Sequence, residues 1–155
     1  MDTQREPQPR CGHAAVTVDN KLHLWGGYAG SNEKSQQLVT TVEVFDISTE
    51  MWEQVRTHGT PPPGLSNAAY TVVGTYLYSF GGTDGSRHNT LHKLDLCTLK
   101  WEAISHTSRS PHEMVGSGMV SYGDNQLVLF AGLKESGHGS LTNGVHIFNL
   151  DKREH

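Results

Sequence analysis

One short motif recurs along this chain and limits what it can fold into. Tyr76–Leu77–Tyr78–Ser79–Phe80–Gly81–Gly82 is an apolar run with alternating side chains that ends in two glycines. Lys21–Leu22–His23–Leu24–Trp25–Gly26–Gly27 precedes it, and Gln126–Leu127–Val128–Leu129–Phe130–Ala131–Gly132 follows. Gly27 and Gly82 lie 55 residues apart, and Gly82 and Gly132 lie 50 apart. A period near 50 residues marks a repeat architecture, in which each unit buries its apolar face only against its neighbours.

The rest of each unit aligns on that landmark. A small-residue strand precedes it: Gly12–Val18, Ser66–Val72 and Gly116–Tyr122. A third strand follows and ends in Asp or Asn: Val42–Asp46, Leu91–Asp95 and Val145–Asn149. Trp52 and Trp101 each stand six residues beyond that acid. Paired glycines with a spaced Trp, found together twice, make the chain resemble the kelch repeat from Arg10 to its C-terminus. The resemblance implies an all-β fold: a partial β-propeller with two complete four-stranded blades and an incomplete third, an open sector. Blade one is expected over 10–56, blade two over 64–105 and blade three over 113–155, after a flexible leader over 1–9. His155 falls where the third outer strand should begin, so that strand is expected to be missing.

Composition agrees. Only 35% of residues are hydrophobic and 17 are glycine, a balance that would suit disorder. The period-2 alternation within each run points instead to many half-buried strands joined by tight turns. A net charge of −4 without a basic run argues against nucleic acid as a partner. No apolar run approaches the roughly 18 residues of a membrane helix, and the N-terminus has no apolar stretch of a signal peptide. Cys11 and Cys97 fall at unrelated repeat positions and have no metal-ligand spacing, which suits reduced thiols in an intracellular protein. A cytoplasmic location is expected, with the nucleus as alternative.

In the resemblance, Trp52 and Trp101 pack against a neighbouring blade. Asp46 and Asp95 share one repeat position, so they are expected to accept backbone N–H bonds in the turn before Trp and not to act as a carboxylate pair. At the paired glycines, Ala131 suggests that the first position tolerates a methyl group, leaving the strict backbone demand on Gly27, Gly82 and Gly132. The loops sort onto two ends of each blade. Loops between strands two and three share one end with the segments that join repeats, Arg56–Pro63 and Ser105–Glu113. The short strand 1–2 and 3–4 turns share the other.

Binding residues concentrate on loops held by a rigid scaffold. The long-loop end is therefore the expected binding face, with Tyr28, Asp84, Arg87, His88, Arg109, His112, Lys134 and His138 as candidates. Arg87 and Arg109 rank first, because Arg is enriched at hot spots and grips carboxylates with two donors. His92 and His146 occupy one repeat position, which reads as structural. No metal site, cofactor or catalytic residue is expected. Gly137–His138–Gly139–Ser140 lacks the lysine and helix of a phosphate loop, and no Gly–x–Ser–x–Gly elbow occurs.

The function the resemblance implies is a protein-interaction module that binds a partner protein or peptide and is not an enzyme. It resembles kelch-domain-containing proteins without an N-terminal BTB domain, and an adaptor or substrate receptor of a cullin-RING ubiquitin ligase is one form. A kelch-fold enzyme or metal-dependent specifier protein is the alternative class. The two open flanks of a three-blade arc lead to two further expectations: a longer propeller of which this chain is a segment, or a homodimer that completes a ring.

Overall fold

The alternating runs build antiparallel sheets, one per repeat. The computed structural model describes residues 5–30, 32, 34, 36–105, 111–134 and 140–150. The first sheet holds Ala14–Val18, Lys21–Trp25, Val42–Asp46 and Met51–Val55, adjacent in chain order. The second holds Ala69–Val73, Tyr76–Phe80, Leu91–Asp95 and Lys100–Ile104 in the same order. The third pairs Gly118–Tyr122, Gln126–Lys134 and Leu141–Asn149. No sheet closes on itself, and no helix among the described residues is long and apolar enough to cross a membrane. The architecture is an open propeller sector with two four-stranded blades and a third of three strands. The expected position of a further outer strand, at His155, lies outside the described residues.

The three blades share one register. Ala14 faces Trp25, Ala69 faces Phe80 and Gly118 faces Phe130. The strand 1–2 turns open on left-handed residues, Asp19 (φ 53°), Gly74 (φ 58°) and Gly123 (φ 59°), as tight hairpins require. Asp46 and Asp95 do what their shared position implied. Asp46 Oδ1 accepts from the amides of Ser48 (2.9 Å) and Thr49 (3.2 Å), and Asp95 Oδ1 from Cys97 (2.8 Å) and Thr98 (3.2 Å).

Because side chains alternate, each blade has a forward face, toward the next blade, and a rear face. The forward face of blade one (Ala14, Val16, Trp25, Val42, Val44) packs on the rear face of blade two (Leu77, Leu94, Trp101). Trp101 is fully buried, with its ring 5.2 Å from that of Trp25, so this Trp does lock neighbouring blades. The forward face of blade two (Ala69, Tyr78, Phe80, Leu91) packs likewise on Met119, Leu127, Leu129 and Phe148 of blade three. These two inter-blade layers are the core.

Three features depart from the sequence-based expectations. First, the inner strands start later than expected. A short leader precedes each and is set off by a left-handed residue, Gly12 (φ 68°), Asn67 (φ 55°) or Gly116 (φ 68°). The leaders Arg10–Cys11, Leu65–Ser66 and Met114–Val115 pair instead with residues just beyond the paired glycines: Tyr28–Ala29, Thr83 and Leu133–Lys134. Second, His58–Gly59, in a segment expected to be a plain connector, runs parallel to Lys100–Ile104 and covers the outer edge of blade two. Third, the hairpin of blade three is long. Its strands run Gln126–Lys134 and Leu141–Asn149, with a bulge between Phe130 and Gly132, past the expected strand end at Gly132 and before the expected start at Val145.

The paired glycines serve inter-blade contact. Gly27 N donates to Leu65 O (2.8 Å) and Gly82 N to Met114 O (3.0 Å), so each pair ties its blade to the leader of the next. A Cβ on Gly26 would stand 2.6 Å from Leu65 O, and one on Gly81 2.5 Å from Met114 O. The first position is therefore not the tolerant one in blades one and two. Ala131 takes the same left-handed conformation (φ 59°) in the blade whose forward neighbour is not among the described residues.

Candidate functional site

Antiparallel meanders place the strand 2–3 loops and the repeat-joining leaders at one end of the sector. There the backbone is fixed by ladder-like bonds across units. Ser66 and Thr83 exchange two 3.0 Å bonds, Gly116 N donates to Asn67 O (3.0 Å), and Asn67 N donates to Gly12 O (2.9 Å). The chain of leaders thus forms a hydrogen-bonded platform from which the loops rise.

On that platform the structure gathers part of the candidate set. His88 Nε2 lies 2.9 Å from Asp84 Oδ1, and both side chains are partly exposed. That hydrogen bond, with a second from the Ser86 amide, holds the Asp84 carboxyl below its usual range. The loop is preorganised: His88 N donates to Gly82 O (3.0 Å) and His88 O accepts from Met114 N (3.2 Å). Arg87 Nη1 donates to Lys134 O, joining blade two to blade three across 47 residues of sequence. Arg87 is thus a clasp between blades, with a donor committed to backbone, which the ranking as a carboxylate grip did not foresee. His112 is exposed and close enough, with Lys134, to lower the pKa of His146, after the larger effect of burial. Asp84, Arg87, His88, Lys134 and His112 therefore share the blade two–three junction. Tyr28 sits apart on blade one, laddered between Cys11 and Leu38. Arg109 and His138 lie outside the described residues.

Sequence reasoning missed a polar cluster at the start of blade one. Arg10 and Glu43 are almost fully buried, 3.9 Å apart. Burial lowers the Arg10 pKa against the opposing pull of Glu43, and burial plus Arg10 lowers that of His13. Arg10 Nη1 and His13 Nδ1 have no hydrogen-bond partner among the described residues. The available signal was positional: Arg10 stands where Leu65 and Met114 stand in the other blades.

The structural histidines behave as their repeat positions implied. His92 is buried, 6.5 Å from Trp101 edge-on, and desolvation first and His88 second lower its pKa. A shallow recess lined by Tyr76, Lys93, Asp95, Thr98, Lys100 and Glu102 lies at the turn end, away from the loops. Its charges compensate one another, with Lys93 and Lys100 at 3.0 and 3.1 Å from Glu102. Both cysteines are free and exposed. Among the described residues no three His, Cys, Asp or Glu side chains gather as metal ligands would.

Comparison with known proteins bears on the family. The KLHDC2/KLHL20/DRC7 Kelch-repeats domain matches residues 2–155. The acyl-CoA-binding domain-containing protein 4 of Arabidopsis thaliana is 32% identical over 148 residues, 94% of this chain and 21% of that protein. The Homo sapiens Kelch domain-containing protein 3 is 31% identical over 128 residues, 76% of this chain and 32% of its own length. The leucine-zipper-like transcriptional regulator 1 homolog of Drosophila melanogaster is 29% identical over 96% of this chain and 15% of that protein. The chain thus spans a third or less of these relatives. Among solved structures, that of YjhT superposes with a TM-score of 0.74 at 18% identity, over 92% of this chain and 50% of YjhT, a likeness of fold alone. With repeats, blade geometry and family model in agreement, the chain belongs to the kelch-repeat family.

Proposed function

We propose that this chain is a protein-interaction module whose long-loop face binds a peptide segment of a partner protein. The observation that carries the reading is the junction of blades two and three. There Asp84, His88, Arg87, Lys134 and His112 stand together on a backbone platform bonded across units. Both charge signs and several hydrogen-bonding groups, presented on preorganised backbone, suit a polar peptide rim around a rigid scaffold. Kelch repeats as a class support such a module. In its finer form the module is an adaptor, working in the cytoplasm or nucleus, that presents the bound segment to a cullin-RING ubiquitin ligase. That form rests on the resemblance of the repeats to kelch-domain-containing proteins without an N-terminal BTB domain.

The test is selection of a random-peptide display library on the purified chain, followed by fluorescence-polarisation titration of the enriched peptides. An Asp84→Ala, His88→Ala double variant, altered only at partly exposed side chains, is expected to bind at least about tenfold more weakly, with an unchanged melt. Failure to enrich any peptide, or equal affinity of the variant, contradicts the reading.

A further inference from the structure

The outer edge of blade two is covered by a strand whose last bonds run through one hydroxyl. Lys100–Ile104 presents outward backbone groups that the other three strands of its blade do not pair. His58–Gly59 meets the first of them in parallel: His58 N donates to Leu99 O (3.0 Å) and Thr60 N to Trp101 O (2.9 Å). Pro61 has no N–H with which to continue that pairing. The Thr60 side chain carries it one step further, since Oγ1 accepts from Ala103 N (3.1 Å) and donates to Trp101 O (3.4 Å). The cover has no slack toward the blade. Gly59 is left-handed (φ 87°), and a Cβ on it would run into Trp101 O.

Thr60 also stands where an enzyme can reach it. His58, Gly59, Thr60 and Pro61 are exposed, while Pro62 is buried and anchors the chain beyond them. Thr60–Pro61 is one of two Ser–Pro or Thr–Pro pairs in the sequence. The other, Ser110–Pro111, falls in the next repeat-joining segment, with Ser110 outside the described residues. A hydroxyl followed by proline is the substrate chemistry of proline-directed kinases, because the proline ring enters an apolar pocket without stranding an amide proton.

We propose that Thr60 is a phosphorylation site for a proline-directed kinase, and that the phosphate releases the cover strand from blade two. Thr60 Oγ1 bonds to the γ-phosphorus of a nucleoside triphosphate as the bond to the β-phosphate oxygen breaks. The nucleoside diphosphate leaves, and the hydroxyl proton passes to the catalytic carboxylate of the kinase. The product has no hydroxyl proton for Trp101 O, and it sets an anionic tetrahedral group against that carbonyl. Gly59 already lies as close to Trp101 O as backbone can, so the strand cannot shift to make room. Thr60 turns outward and the cover detaches. Leu99 O, Trp101 O and Ala103 N are then open to another extended segment.

Phosphorylation of the 155-residue chain followed by amide hydrogen exchange tests the proposal. The chain is incubated with Mg²⁺, ATP and a proline-directed kinase of the mitogen-activated class, and the phosphoryl group is mapped by tandem mass spectrometry. Modification is expected at Thr60 and is expected to be lost there in Thr60→Val. Exchange is then measured in a Ser110→Ala chain, which confines the modification. After phosphorylation the amides of His58, Thr60 and Ala103 should exchange at least about tenfold faster, with those of Leu91–Asp95 unchanged. Thr60→Val keeps the backbone bonds without the Oγ1 acceptor, and should speed Ala103 alone. A chain modified only at Ser110, or not at all, overturns the site. Unchanged exchange at His58, Thr60 and Ala103 after modification, with the phosphate taking the place of the hydroxyl on the Ala103 amide, overturns the release.

Discussion

Phe80 and Phe130 occupy the same position of their blades, one 1% exposed and the other 52%. Each stands in a second strand opposite a small residue of the inner strand, Phe80 facing Ala69 and Phe130 facing Gly118. The difference lies in what stands in front of them. Blade three covers Phe80 with Phe148, 5.3 Å away, and no described residue covers Phe130 in that way. In a repeat fold the sequence of a unit writes its two faces, while burial, and hence stability, is a property of the junction.

The largest expected effects lie at the occupied junctions. Trp101→Ala and Phe80→Ala each remove a fully buried aromatic and should cost about 3–5 kcal/mol in urea unfolding. Phe130→Ala, measured in dilute solution, should cost under about 1 kcal/mol. Equal losses at Phe80 and Phe130 would break the comparison.

The paired glycines come next. Gly81→Ala forces a left-handed alanine, about 1–2 kcal/mol, and a clash with the Met114 carbonyl, so a total near 3 kcal/mol is expected in thermal melts. Gly82→Ala meets its nearest atoms at 3.0 Å and should cost no more than Gly81→Ala. Ala131→Gly should instead stabilise the monomer by about 1 kcal/mol. A destabilising Ala131→Gly would show that blade three is not the exception described above.

Acid sensitivity sharpens the same contrast. Burial first, and then Lys21 or His88, lowers the pKa of His23 and His92 below the ordinary 6.5. The unfolded chain takes up protons near pH 6.5 that the folded junctions resist. Stability is thus full above about pH 6.5 and falls as pH drops below it, levelling off below the depressed folded values. A His23→Gln, His92→Gln double variant should flatten Tm against pH between about 6.5 and 5. An unchanged slope would place the acid sensitivity elsewhere.

The smallest effect is expected at the turn. Asp95→Ala removes the acceptor for the Cys97 and Thr98 amides and should cost about 1 kcal/mol in the same melts.

The parts of this fold legible in the sequence were those that repeat. The Gly81–Gly82 landmark, the Asp95 turn and the buried Trp101 each carry a local pattern that a second copy corroborates. The leaders were not legible, because two-residue pairings such as Arg10–Cys11 with Tyr28–Ala29 are too short for any periodicity. Asn67 hid the break between leader and strand: it does Gly12's left-handed work with a different side chain. His58–Gly59 gave no signal for the same reason, since its parallel pairing with Trp101 is fixed by tertiary contact. At the candidate site, loop position identified Asp84 and His88. The Arg87 bond to Lys134 depends on how two blades stack, and no spacing along the chain encodes that. The first-position glycine was misread because Ala131 was taken as evidence about every blade, when it reports only on the one whose forward neighbour is not among the described residues.

Hydroxyl-radical footprinting with residue-resolved mass spectrometry tests the central claim most directly, since it compares like side chains in one molecule. In dilute solution, Phe130 and Tyr122 should be oxidised far faster than Phe80 and Tyr78, which are 1% and 6% exposed. Equal protection of Phe80 and Phe130 would contradict the account.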